Sequence, residues 1–262
     1  MKMTRFLGVI ILLASSFMAC ATEQPANVFI TLGTAGGPEG EANRSQPANA
    51  LLVGNDLYLV DAGDGAAGQL KKAGFRLPQV RGIFLSHNHF DHTGGMLAIL
   101  GLRMQLNAYE PLTIYGPPGT KTFIEGLLAG MEPAREAAYG MPGRSWAANV
   151  EVIELVGEAI IELNGLEVTV AENTHFKIPE NSGVAEKAKS LSFRFDMDDR
   201  SIVYTGDTGP SEAVEKLARN ADILVSEMMD IPAVLDAIRK VNPNMPQRQL
   251  DGIEWHFRAH HV

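Results

Sequence analysis

Short apolar runs separated by Gly-, Asn- and Asp-rich turns recur along this chain. Ala50-Leu51-Leu52-Val53 and Leu57-Tyr58-Leu59-Val60 flank Gly54-Asn55-Asp56, the pattern of a tight hairpin. Asn164-Gly165 interrupts the run 159–170, and Asp198-Asp199-Arg200 separates 191–195 from 201–204. Residues 28–30, 82–86, 112–115, 150–155 and 221–226 read as further strands, with 82–86 and 221–226 as buried ones. Helical spacing covers 66–73, 94–106 (Met96, Ile99, Leu100 and Met104 inward) and 121–129. Ser211 caps a helix bearing Val214, Leu217 and Ala218, and Pro232 opens one bearing Val234, Leu235, Ile238 and Val241. Hairpin groups with helices between them predict an α/β fold of two mixed sheets with helices on both outer faces.

The 262 residues suit one larger α/β domain, and no linker or repeat divides them. Residues 1–21 stand apart from it. Lys2 and Arg5 precede the apolar stretch 6–14, and Ala19-Cys20-Ala21 offers a small-residue cleavage site. This is the pattern of an export signal, with the domain over 22–262 and a periplasmic or secreted location. Phe17-Met18-Ala19-Cys20 also resembles a lipoprotein signal, which makes Cys20 a candidate lipid anchor. Cys20 is the single cysteine, so the mature region has neither a disulfide nor a thiolate ligand. The formal charge of −9 becomes −11 when Lys2 and Arg5 are removed. Such an acidic surface repels nucleic acid at long range, so the composition predicts a small-molecule substrate and no nucleic-acid partner.

The chemistry concentrates in Ser86-His87-Asn88-His89-Phe90-Asp91-His92. Side chains two apart on extended chain face the same way, so His87 and His89 can grip one ion. Asp91 and His92 follow a turn and can face a second. Two further runs end in candidate ligands: 166–170 leads to His175, and 201–204 leads to Asp207. Imidazole and carboxylate suit Zn2+, with Mn2+ or Fe2+ as alternatives.

With these residues in place, the chain resembles the metallo-β-lactamase superfamily from about Val28 onward, through its HxHxDH element at His87, His89, Asp91 and His92. The resemblance implies an αββα sandwich with two divalent ions at one edge of the paired sheets. His87, His89 and His175 would hold the first, Asp91 and His92 the second, and Asp207 would bridge them. Asp61 in Val60-Asp61-Ala62-Gly63 matches an aspartate that orients the metal loop. Leu32-Gly33-Thr34, Tyr115-Gly116-Pro117-Pro118-Gly119-Thr120 and 221–227 resemble the arylsulfatase and tRNA 3′-end endonuclease branch. By that pattern Glu227 and His261 form a proton-transfer pair, with Asp91 the third catalytic candidate. The branch carries another metal-2 histidine on a last strand. None follows Val262, so the resemblance implies a C-terminally truncated sequence, with His256, His260 and His261 as candidate substitutes.

The chemistry expected is hydrolysis by a metal-bound hydroxide, since metal lowers the pKa of water from about 15.7 towards about 7. The sequence reading favours an exported enzyme cleaving a small phosphate or sulfate ester, of arylsulfatase or phosphodiesterase type. A lactonase or β-lactamase-type hydrolase, a diiron redox protein and a non-catalytic metal-binding module are the competing readings. The stretches 131–148 and 176–188 are expected to shape the pocket.

Overall fold

The structure is a computed structural model that describes residues 27–37, 40–137, 149–176, 178, 183–185 and 187–261. The expected export signal with Cys20, and much of both expected pocket stretches, lie outside these residues. The first sheet contains β1 (Val28–Gly33), β2 (Ala48–Val53), β3 (Asp56–Ala62), β4 (Val80–Phe84), β5 (Leu112–Gly116) and β6 (Val150–Glu154), in that spatial order. The first three strands are antiparallel neighbours, and β3 to β6 pair in parallel. The second sheet contains β7 (Ala159–Leu163), β8 (Leu166–Glu172), β9 (Leu191–Asp196), β10 (Ser201–Tyr204) and β11 (Ile223–Val225), ordered β11-β10-β9-β8-β7.

Period-two alternation divides the apolar side chains between two cores. In β4, Ile83 faces the outer core of the first sheet while Phe84 faces the second sheet. The outer core packs Leu57, Leu59 and Ile83 under helices α1 (Ala66–Lys72), α3 (Met96–Gln105) and α4 (Thr120–Gly130). The four-residue α2 (Phe90–Thr93) precedes α3, and α5 (Glu132–Glu136) follows α4. Between the sheets, Leu51, Val60 and Phe84 meet Val168, Phe193 and Phe195. On the far face, α6 (Glu212–Leu217) covers Ala171 and Val203 through Leu217, and Ser211 Oγ caps it by accepting from Val214 N. The expected α/β sandwich, helix–sheet–sheet–helix, is the observed architecture.

Several expectations change. Strand β11 is an edge strand, not a buried one: Leu224 is 55% exposed, because β10 is its single neighbour. An apolar run fixes strand type but not its place in the sheet. On α3, Met104 packs partly buried against the outer core as expected, and Arg103 is buried as well; its guanidinium donates to the carbonyls of Leu77, Val80 and Glu110. Three carbonyl acceptors replace the water that a buried cation loses. Besides α7 (Ile231–Val241), the structure has α8 (Gln247–His260), which the apolar pattern does not single out. Its low overall hydrophobicity reflects a helix with only Leu250 and Ala259 buried.

Phe84 ties the inner core together. Its ring stacks on Tyr115 at 4.8 Å and meets Phe195 edge-on at 5.5 Å. Phe84→Ala is expected to cost about 3–5 kcal/mol, read from the midpoint of urea unfolding.

Candidate metal centre

The candidate residues converge where strands of both sheets end. Antiparallel pairing of β8 with β9 and β9 with β10 makes β8 and β10 run the same way, and β11 is parallel to β10. Their C-terminal ends therefore deliver His175, Asp207 and Glu227 to one edge, opposite the loop that follows β4. The chain can crowd there because glycine removes side chains at two contacts. A Cβ on Gly63 would lie 2.1 Å from the Asp91 carbonyl oxygen, and one on Gly95 2.3 Å from that of Gly63.

His87, His89 and His175 each offer a nitrogen within 4.8 Å of the others. His89 Nδ1 stands 3.1 Å from His87 Nε2 and 3.3 Å from His175 Nε2. Two nitrogens bound about 2.0–2.1 Å from one tetrahedral ion stand about 3.3 Å apart, so this trio fits a shared cation. The tautomers agree. His175 Nδ1 donates to the His260 carbonyl at 3.0 Å, which leaves Nε2 its lone pair. Burial lowers His175 to about 4 and holds His87 well below the usual imidazole range. Both rings are therefore neutral, the form a metal takes. Phe176 walls the trio, its ring 4.7 Å from His175 and 5.0 Å from His89.

A second group joins His87, His92 and Asp207, and a third joins His175, Asp207 and His261. Asp207 thus shares one group with His87 and another with His175, two members of the trio. Burial works against its charge, but His92, His175 and His261 around it outweigh burial and hold it at about 2. His92 is 1% exposed, and its Nε2 makes no hydrogen bond although Asp207 Oδ1 is 3.2 Å away. Burial alone would depress His92. The Asp61 and Asp207 carboxylates reverse this and raise it well above the usual range. They draw a positive charge onto Nε2, whether a proton or a cation.

Asp61 makes contacts to the loop after β4 and to His92. It is fully buried at φ 58, a left-handed conformation unusual for a non-glycine residue. Its Oδ1 accepts from Ser86 N at 2.7 Å. Its Oδ2 accepts from Ser86 Oγ at 2.8 Å, His92 Nδ1 at 2.7 Å and the Tyr204 hydroxyl at 2.7 Å. Asp91 is brought beside His92, 3.7 Å from its Nε2, but accepts from Gly37 N and joins none of the three groups above. Glu227 Oε2 accepts from His261 Nδ1 at 2.8 Å. Burial pulls His261 down, but the Glu227 carboxylate overrides it and raises the ring. Of the three candidate substitutes, His261 joins a ligand group. His260 Nδ1 faces the His175 carbonyl, and His256 stacks on His260 at 4.3 Å.

The sequence reading missed Ser86, Asn173, Tyr204 and the His260 contact. Asn173 Oδ1 accepts from His175 N while its Nδ2 donates to the Thr205 carbonyl, joining the two ligand loops. A small polar residue beside a ligand cluster was the only local signal for Ser86 and Asn173. Tyr204 and His260 act across sequence separations that leave no local mark.

A family model described as the beta-lactamase superfamily domain matches residues 57–244. Ribonuclease Z of Pyrococcus abyssi is 30% identical over 236 residues, covering 76% of this chain and 73% of that protein. Ribonuclease Z of Pyrococcus furiosus is 28% identical with the same coverage. The chain belongs to the metallo-β-lactamase superfamily, in its ribonuclease Z-like branch. Among solved structures, the short form of human tRNase Z superposes with a TM-score of 0.60 over 81% of this chain and 82% of that one, at 23% identity. The metallo-beta-lactamase fold protein YhfI from Bacillus subtilis gives 0.54 over 76% and 69%, at 20% identity. These two likenesses support the fold.

Membership makes this superfamily protein a metal-dependent hydrolase and overturns two expectations. Relatives named ribonuclease Z contradict the small phosphate or sulfate ester, with its lactonase, β-lactamase and non-catalytic alternatives. They contradict equally the absence of a nucleic-acid partner. The physical error lay in the charge argument. A net charge of −9 is a sum over the whole surface, and salt screens it within about 8–10 Å. Contact with a phosphodiester depends on the local field, to which divalent cations contribute directly.

The purified superfamily protein is expected to retain two ions per chain by elemental analysis. His87→Ala should lower occupancy of both, since His87 belongs to both flanking groups. Restoring free Zn2+ to about a hundred times Kd should stabilise the chelated protein by about 2.7 kcal/mol per ion, measured by thermal unfolding.

Proposed function

We propose that this protein is a metal-dependent ribonuclease that hydrolyses a phosphodiester bond of tRNA precursors. The observation that carries the reading is the Glu227–His261 pair at 2.8 Å, set against the ligand cluster through His175 and Asp207. Similarity to the ribonuclease Z relatives supplies the substrate class. The proposed ions are Zn2+, with Mn2+ or Fe2+ as alternatives. When bound, a pair of such ions supplies Lewis acidity and a water acidified towards neutral pH.

The chain's own residues do the rest. His87, His89 and His175 form one side of the ligand set, and His92 and Asp207 form the other, with Asp91 beside His92. Phe176 packs against the imidazole trio, of which His89 stays exposed. Glu227 accepts the Nδ1 proton of His261 and so fixes the ring's orientation. A departing ribose oxygen needs a proton, and charged His261 gives it from Nε2. Thr208 N donates to the other Glu227 oxygen and keeps the carboxylate turned towards the ring.

Residues 1–21 support an exported location for this activity, through Lys2, Arg5, the apolar stretch that follows and Cys20. Mass analysis of the protein recovered from its native host is expected to find residues 1–19 or 1–21 removed.

Incubation of the metal-loaded protein with a labelled precursor tRNA is expected to give one cleavage product, lost on chelation. Glu227→Gln should lower kcat by about 10²–10⁴-fold while leaving metal content intact, and His261→Ala should lower kcat by at least as much. Turnover of no RNA by a protein carrying two ions would overturn the proposal.

A further inference from the structure

We propose that Tyr204 is a positioning residue for the His92–Asp207 side of the metal centre. Tyr204 ends β10 in the second sheet, whereas Asp61 ends β3 in the first. The phenol donates to Asp61 Oδ2 at 2.7 Å across a sequence separation of 143 residues. Its ring is held between the sheets, 6.5 Å from Phe29. Both groups are buried, so no competing water offsets the loss of this hydrogen bond.

The contact closes a ring. From Asp61 Oδ2 the path runs through His92 Nδ1 at 2.7 Å, across the ring to Nε2, and 3.2 Å on to Asp207 Oδ1. From Asp207 it returns through Gly206 and Thr205 to Tyr204, whose hydroxyl meets the same Asp61 oxygen. His92 comes from the first sheet's loop and Asp207 from the second sheet's. Tyr204 is the donor that fixes the strand bearing Asp207 to the carboxylate that orients His92. Ser86, the other hydroxyl on Asp61, comes from the His92 side, and its carbonyl accepts from Leu191 N of β9 at 2.8 Å, a backbone tie that loss of the Tyr204 hydroxyl leaves in place. The His87, His89 and His175 nitrogens take no part in the ring, so the two halves of the centre should respond differently to the loss of one hydroxyl.

Tyr204→Phe removes that hydroxyl and keeps the packed ring. Zn2+ titration against a chelating indicator, without substrate, reads both affinities. The weaker-bound ion is expected to lose about 10–100-fold in affinity while the other is unchanged. Unchanged affinities for both ions, even with a lower Tm of the metal-free protein, overturn the proposal. So does an equal fall in both. The inference rests on His92 and Asp207 being ligands. Uptake of a single ion by the wild type would overturn that reading together with this one, whereas two ions and an indifferent variant would overturn this one alone. A measurement on the wild type covers a variant that fails to fold. The buried hydroxyl proton should give a slowly exchanging NMR resonance that moves with the second equivalent of Zn2+ and not with the first. A resonance that stays put through both equivalents also overturns the proposal.

Discussion

One buried carboxylate organises this site. Asp61 accepts four hydrogen bonds, two from Ser86, one from His92 and one from Tyr204, and is fully enclosed. A buried carboxylate is costly unless its oxygens are satisfied. Here every donor that satisfies it belongs to an element that must be placed: the end of β4, the metal loop, and the second sheet. Its left-handed backbone is a further cost of about 1–3 kcal/mol, borne where the β2–β3 pairing skips Asp61 between Val60 and Ala62. Strain and burial at one residue are offset by order in three elements.

That order divides the centre into two halves of different character. The His87, His89 and His175 half is neutral: burial keeps its imidazoles unprotonated and their nitrogens face inward. In the His92 and Asp207 half, the Asp61 and Asp207 carboxylates call for positive charge on His92. The trio packed against Phe176 and the His92–Asp207 pair backed by Asp61 are different donor sets, and Asp207 shares one group with His87 and another with His175. The Glu227–His261 pair then lies next to Asp207, where a raised imidazole remains charged and has a proton to give.

The acidic composition shows where a global property misleads. Net charge governs long-range encounter, but at the sheet edge burial and local pairing of the site's own groups set the potential. Exclusion of nucleic acid on charge alone therefore failed against the ribonuclease Z relatives.

By itself the sequence determined the strands, their hairpin turns, the two-sheet architecture and the ligand cluster from His87 to His92. Each of these is written in local spacing: period-two alternation, Asn-Gly and Asp-Asp turns, and histidines two apart on extended chain. His175, Asp207, Glu227 and His261 were legible through family resemblance, since each ends an unremarkable segment. Only the tertiary structure decided that β11 lies at a sheet edge, that α8 brings the His260 carbonyl to His175, and that Tyr204 reaches Asp61 from the opposite sheet. Those are contacts between residues tens to more than a hundred positions apart. No local pattern encodes them, because the donor and its acceptor meet only after the two sheets have closed on Phe84, Phe193 and Phe195.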